Sequence, residues 1–212
     1  SITITGDGFA LSVDKKTGLI ASYIVGGETL LTQGPTPNYW RAPADGDKFS
    51  NEWANANQSM VLEALTAVRQ DGLYVIHTRL NLPVANNSKQ EMTYTVYPSG
   101  AVQVQAKLIP AAGAGELLKY GAELTLPAAF EQITWYGSGP EETFADRRAG
   151  ALVGLYTDTV SNSFYPYQNP QVSGNHTDTR FIALENPDTA TGLLVVGKSP
   201  VEASATHFKV TD

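Results

Sequence analysis

Five charged side chains, Glu141, Glu142, Asp146, Arg147 and Arg148, crowd a short segment that opens Trp135-Tyr-Gly-Ser-Gly-Pro. That density of acid, base, glycine and aromatic residues could support several chemistries. A phosphate cradle needs a glycine-rich loop opening a helix, followed by Gly-Lys-Ser/Thr, and that continuation is missing. Glycoside hydrolysis by a carboxylate pair needs two carboxyls about 5 to 9 Å apart across a substrate. Glu141 and Glu142 are neighbours, so their side chains are expected to point apart. A sugar-contacting loop on an aromatic platform also fits these residue types. The plainest reading, and the favoured one, is a structural turn in which Asp146 or Glu142 pairs with Arg147 or Arg148.

Other chemistry is thinly represented. The chain has no cysteine, which excludes disulfides, thiolate zinc sites and a cysteine nucleophile. Its three histidines, His77, His176 and His207, are far apart, so no histidine metal site is expected. Asp45-Gly46-Asp47 resembles the opening of a calcium loop, but the further oxygen ligands and closing Glu are missing. No metal and no cofactor are expected. The formal net charge of −7 argues against nucleic acid or an anionic membrane as partner. No run of 18 or more apolar residues is present to span a bilayer. Ser1-Ile-Thr-Ile-Thr lacks the basic-then-apolar pattern of a secretory leader.

The elements that must position these residues read as strands. The chain has 212 residues, 42% hydrophobic and 17% charged, which suits one large folded domain or two small ones. Phe9–Asp14 alternates, Lys15–Gly18 turns, and Leu19–Val25, Gly26-Gly27 and Glu28–Thr32 complete a second hairpin. Three prolines in Gln33–Asp47 predict an ordered loop, anchored by Trp40. Ser50 is a good N-cap for a short helix over Ser50–Gln58. Strands follow at Met60–Gln70, Leu73–Leu82, Lys89–Tyr97, Ala101–Ile109 and Lys119–Leu126. Asp71-Gly72, Pro98-Ser99-Gly100 and Pro110–Gly115 separate them. Ala101–Ile109 shows the cleanest half-buried alternation, and His77 reads as an outward strand position. Gly137, Gly139 and Pro140 are expected to stop the strand before them. A strand at Ala149–Tyr156 then leads into a long loop, Thr157–Asp178, of a length that is usually functional or covers an edge. Phe181–Leu184, a turn at Glu185–Asp188, Gly192–Gly197 and Glu202–Phe208 close the chain. The fold class is therefore all-β, an antiparallel sandwich.

Three motifs in order resemble one family. They are Asn38-x-Trp-Arg-Ala-Pro-x-Asp-x-Asp47, Gly137-x-Gly-Pro-Glu-x-x-x-x-Asp-Arg147 and Tyr165-Pro-Tyr followed by Pro170-Gln-x-x-Gly-Asn-x-x-Asp-x-Arg180. Together they are similar to the C-terminal β-sandwich domain of large bacterial β-galactosidases, glycoside hydrolase family 2. The chain departs from that pattern at Gly46, where Asn is usual, at Val172, where Glu is usual, and at His176, where Arg is common.

The resemblance implies a single galactose-mutarotase-like domain over residues 1–212, a large two-sheet supersandwich. It would be a C-terminal fragment of a larger enzyme, cut short at its own C-terminal end. The parent would hydrolyse terminal β-galactosides with two glutamates on a (β/α)8 barrel, the barrel and remaining domains being this chain's partners. The chain itself would be non-catalytic. It would support the parent and touch a galactoside only through a rim formed by Tyr97, Ser99, Gly100, Tyr165, Tyr167 and His176. Two alternatives stay open. One is a stand-alone carbohydrate-binding or mutarotase-like protein, although no histidine matches a mutarotase position. The other is a purely structural interaction domain.

Overall fold

The structure is a computed structural model that describes residues 1–41, 52–168 and 171–208. Its strands are all paired antiparallel, as the alternating sequence predicts. The chain divides into two compact units, Ser1–Leu126 and Pro127–Asp212.

The first unit is a two-layer sandwich with a small added sheet. Strands β1 (Ile2–Gly6), β2 (Phe9–Val13), β3 (Ile20–Val25) and β4 (Glu28–Leu31) form one layer in that order. Strands β6 (Val61–Gln70), β7 (Leu73–Leu82), β8 (Ser88–Val96) and β9 (Val102–Ile109) form the other. Alternate side chains of the two sheets meet in one core, where Leu11, Val13 and Ile20 face Ile76, Met92 and Tyr94. The turn at Asp14 is fixed by its carboxylate, which accepts the Lys16 and Thr17 amides at 2.6 and 3.0 Å.

Strand β5 (Gln33–Asn38) corrects the expectation of a loop. It is a strand despite Pro35 and Pro37 because it pairs on one side only, with β10 (Gly121–Thr125), so its free edge needs no amide. Beyond it, Tyr39 rather than Trp40 is the anchor. Tyr39 is fully buried, tilts against Trp53 at 5.6 Å, and donates to the buried Gln90 at 2.9 Å. Trp40 is only partly covered. Residues 52–58 form turns and not the expected helix, with the Trp53 indole donating to the Gly115 carbonyl at 2.9 Å. The Asp45-Gly46-Asp47 segment and the Ser50 cap lie outside the described residues.

Strand β9 also differs from its expectation. Its alternation is real, yet Val104 is 40% exposed. β9 is an edge strand, and the core formed with β1–β4 is built on β7 and β8. His77 is exposed on β7 with its Nδ1 3.0 Å from Thr93 Oγ1, the outward position its alternation predicts.

The second unit is one four-stranded sheet with a loop folded over it. Strands β11 (Gln132–Gly139), β12 (Leu152–Thr159), β13 (His176–Asn186) and β14 (Thr191–Ala203) lie in the order β12-β11-β13-β14. Ile133, Trp135, Val160 and Ile182 make its core. β13 and β14 are longer than the short strands the sequence suggests, and β14 carries Pro200 because it is an edge strand.

Gly137 does not stop β11, contrary to expectation; the strand runs on through it and ends at Gly139, before Pro140, as expected of those two residues. Gly137 lies opposite Gly154 of β12, and Gly139 opposite Leu152. The reason is close approach. A Cβ on Gly137 would stand 2.7 Å from Thr179 Oγ1 and 2.9 Å from Thr179 Cα. Gly137→Ala must therefore push the β13 backbone away, at a cost of about 1 to 3 kcal/mol. Gly150→Ala, where a Cβ meets nothing within 4 Å, serves as control. Urea unfolding should show a lower midpoint for the first variant and little change for the second. Equal midpoints would refute the close-approach account.

Candidate functional site

The motif after β11 forms a bend held to the start of β13 by buried hydrogen bonds. The Thr143 amide donates to the Asn175 carbonyl at 2.6 Å, and Asn175 Nδ2 returns a bond to the Thr143 carbonyl at 2.8 Å. The Thr177 amide donates to Thr143 Oγ1 at 2.8 Å. Thr143, Asn175 and Thr177 are all buried, so this clasp is closed to competing water.

The acid-base pairing inside the motif is now specific. Glu142 receives Arg147 Nη2 at 3.1 Å on Oε1 and the Gly174 amide at 2.9 Å on Oε2. Gly174 has φ +66°, and a Cβ there would lie 2.5 Å from the Ser163 carbonyl oxygen. Arg147 also lies over the Phe144 ring at 4.6 Å and donates to the Tyr167 hydroxyl at 3.3 Å. Arg148 pairs outside the motif, with Asp178 at 3.4 Å. Of the two carboxylates considered for this role, Glu142 takes it, while Asp146 is exposed.

Trp135 supports the site from below. Its indole donates to the Ser138 carbonyl at 3.0 Å, and the His176 ring stacks on it with centroids 3.9 Å apart. His176 is 4% exposed, and its Nδ1 has no partner among the described residues. Burial pushes its pKa down to about 4, against opposing pulls from the Ser138 carbonyl and the Asp158 charge. The ring is neutral at neutral pH.

These parts surround a cavity of about 230 Å³ within Pro127–Asp212. Its wall combines Glu141 and Glu142 of the motif, Asp158 at the end of β12, Tyr165 and Tyr167 of the long loop, and His176. Adjacent Glu141 and Glu142 therefore both reach this wall. Tyr165 is 60% exposed and meets Tyr167 with ring centroids 4.6 Å apart. Asp158 Oδ1 accepts the Thr159 amide at 2.7 Å and Asn162 Nδ2 at 2.8 Å.

Tyr165, Tyr167 and His176 are thus brought together. Tyr97, Ser99 and Gly100 lie in Ser1–Leu126, in a tight turn where the Gly100 amide donates to the Tyr97 carbonyl at 2.9 Å. There Tyr97 and Ser99 are exposed, while Gly100 is buried and its carbonyl accepts the Tyr23 hydroxyl at 2.8 Å. Asp158, Asn162 and Ser163 are wall residues that sequence reasoning missed. They sit at the end of a strand and in an ordinary polar turn, and only the fold of the long loop brings them to His176. His207 is elsewhere, its Nε2 2.7 Å from Glu131.

Comparison with known proteins decides the family. The family described as beta galactosidase small chain matches residues 5–212. The chain belongs to the β-galactosidase small-chain family. Among curated relatives, a β-galactosidase of Priestia megaterium is 33% identical over 98% of this chain and 20% of its own length. One from Lactobacillus delbrueckii subsp. bulgaricus is 30% identical over 87% of this chain and 19% of its own length. One from Halalkalibacterium halodurans is 29% identical over 87% and 19%. This small-chain sequence therefore spans about a fifth of the length of the relatives it matches.

Two outcomes follow from the geometry. Glu142→Ala removes the acceptor of both Arg147 and the Gly174 amide and should cost about 1 to 3 kcal/mol in unfolding free energy. Asp146→Ala should leave it nearly unchanged, and the reverse order would refute the assignment of the pair. For His176, the folded pKa near 4 lies below the ordinary 6.5. The unfolded chain therefore takes up the proton first as pH falls. The neutral ring's stabilisation is complete above about pH 6.5 and is lost as pH drops towards 4, up to about 3 kcal/mol. Wild type should lose stability over that window more steeply than His176→Phe in urea titrations. Parallel slopes would show that the buried ring does not govern it.

Proposed function

We propose that this chain is the non-catalytic C-terminal domain of a β-galactosidase that hydrolyses terminal β-galactosides. Its role is to support the parent and to form part of the rim of the active site. The observation that carries the reading is the small-chain family match over residues 5–212, within relatives named β-galactosidase that are about five times longer. On this reading the retaining glutamate pair is supplied by the remainder of the parent. The tyrosine pair, the carboxylates and the neutral imidazole around one cavity support the rim. They combine an aromatic face with hydroxyl-binding groups, as sugar sites do.

Packing of this domain against the rest of the parent has its own support. Tyr136 pairs with Leu155 on β12 and with Phe181 on β13, and Phe181 pairs with Val196 on β14. These four lie in one row on the sheet face opposite Trp135. Leu155 and Val196 are each 66% exposed, so the row is suited to an apolar partner.

The test uses the full-length parent. Tyr165 is exposed, so Tyr165→Ala should leave the melting temperature in place while lowering kcat/KM for a β-galactoside about tenfold, or 1.4 kcal/mol. Tyr97→Ala should act in the same direction. The 212-residue chain on its own should not turn over an aryl β-galactoside. Wild-type kinetics in both variants would remove the rim role, and turnover by the isolated chain would remove the non-catalytic one.

A further inference from the structure

We infer that the segment after β14, residues 204–208, is a strap that holds the start of the long loop against its sheet, and that a clamp of His207 on Glu131 lets the strap release in acid. This goes beyond the rim reading and does not rest on it. It concerns how the cavity wall is held, whatever the cavity binds.

The clamp gathers three places in the chain. Glu131 stands just before β11, Ser161 opens a short helical turn after β12, and His207 lies beyond β14. The Glu131 backbone carbonyl accepts the Val160 amide at 2.8 Å. Its carboxylate accepts the Ser161 amide at 3.0 Å on Oε1, and Oε2 lies 2.7 Å from His207 Nε2. A carboxylate only accepts, so Nε2 carries the hydrogen and donates it. Ser161 Oγ, 3.3 Å from the same nitrogen, closes the triangle. The group is not a catalytic serine triad, because serine and carboxylate meet one ring nitrogen instead of the two. Its geometry is that of a fastener.

What it fastens is the loop that walls the cavity. The ladder between β13 and β14 ends at Ala203, opposite His176, and among the described residues no strand pairing holds those that follow. Ala205 packs against the core of the sheet, and the Phe208 ring meets Phe164 with centroids 4.9 Å apart. Phe164 and Phe208 are 47% and 52% exposed, so their contact alone is slight. His207 supplies the directional bond. Asn162, Ser163 and Tyr165, on either side of Phe164, all line the cavity. Freeing Phe164 therefore frees that part of the wall.

The clamp also carries its own trigger. His207 is the charged group that acts on Glu131, and the turn Ser161–Ser163 contributes no charge. Asp158, at the end of β12, has its Oδ1 engaged by Thr159 and Asn162. Hydrogen bonds from Ser161, and then from His207, hold the Glu131 carboxyl below the usual carboxylate range. A lowered folded pKa gives stability that is complete above the ordinary value of 4.5 and is lost as pH falls through the folded one. Protonation leaves the carboxyl one acceptor fewer. Ser161 keeps its carbonyl partner, and His207 loses its own.

The experiment is NMR of the 212-residue chain, following the NOE between the Phe164 and Phe208 rings and the Tyr165 ring shifts, with the Trp135 indole as a check on the fold. Wild type at neutral pH should show the NOE. Glu131→Gln, which mimics the protonated carboxyl, should lose it at the same pH and move Tyr165, with Trp135 unchanged. His207→Ala should do likewise, and it decides the matter if Glu131→Gln does not fold. His207→Gln, whose amide keeps a donor, should retain the NOE. Wild type should lose the NOE below about pH 4.5, and Glu131→Gln should show no such transition. His176 titrates in the same range, so the variants at neutral pH separate the clamp from the buried ring. An NOE absent from wild type at neutral pH, or retained in His207→Ala, overturns the strap. Loss in His207→Gln equal to that in His207→Ala overturns the donor role of Nε2. A wild-type NOE that persists in acid until the Trp135 signal itself is lost overturns the acid release.

Discussion

The arrangement around the cavity depends on the stacking of His176 on Trp135, with ring centroids 3.9 Å apart. Trp135 belongs to the central strand of its sheet and is almost fully buried, so it cannot shift without disturbing Ile133 and Ile182. His176 opens the neighbouring strand. The stack therefore fixes where the long loop re-enters the sheet. From that point the clasp of Thr143 with Asn175 and Thr177 sets the motif bend, and Glu142 then sets Arg147 and Gly174. A low-dielectric floor also keeps the imidazole neutral, which determines what it can accept or donate.

The first unit solves a different problem with similar means. Its two sheets share an apolar core, but near β5 and β10 the core becomes polar. There Gln90 is fully buried, and the Tyr39 and Tyr120 hydroxyls satisfy it at 2.9 and 3.1 Å. Tyr39 and Tyr120 stack at 6.1 Å, so the network is packed as well as hydrogen-bonded. Burial raises the pKa of both phenols, which stay neutral at neutral pH, Tyr39 donating to the Gln90 Oε1 and Tyr120 accepting from its Nε2.

Much of the fold was legible because antiparallel strands advertise themselves by alternation. β7, β8 and the turn at Tyr97–Gly100 fall where Leu73–Leu82, Lys89–Tyr97 and Pro98-Ser99-Gly100 place them. Where prediction and structure part, neighbours are the cause. Pro35 and Pro37 are allowed in β5 because one edge has no pairing partner. Gly137 stays in a central strand because Thr179 approaches too closely for a side chain. Val104 is exposed on an alternating strand because that strand lies at a sheet edge. Neighbours in space are not written in a strand's own residues.

The same division holds for the site. The sequence by itself determined the all-β class, the family motifs and the concentration of charge and aromatic residues in Trp135–Arg148 and Tyr165–His176. Those follow from composition, period and spacing, which are local properties. Only the tertiary structure decided that Glu142 and not Asp146 holds Arg147, that Asp158 joins the wall, and that His176 is buried and neutral. Each of those outcomes depends on the pairing of β11 with β13 and on the path of the long loop between β12 and β13. Hydrogen-bond partners and desolvation are set by distances between residues far apart in the chain, and such distances exist only once the chain has folded.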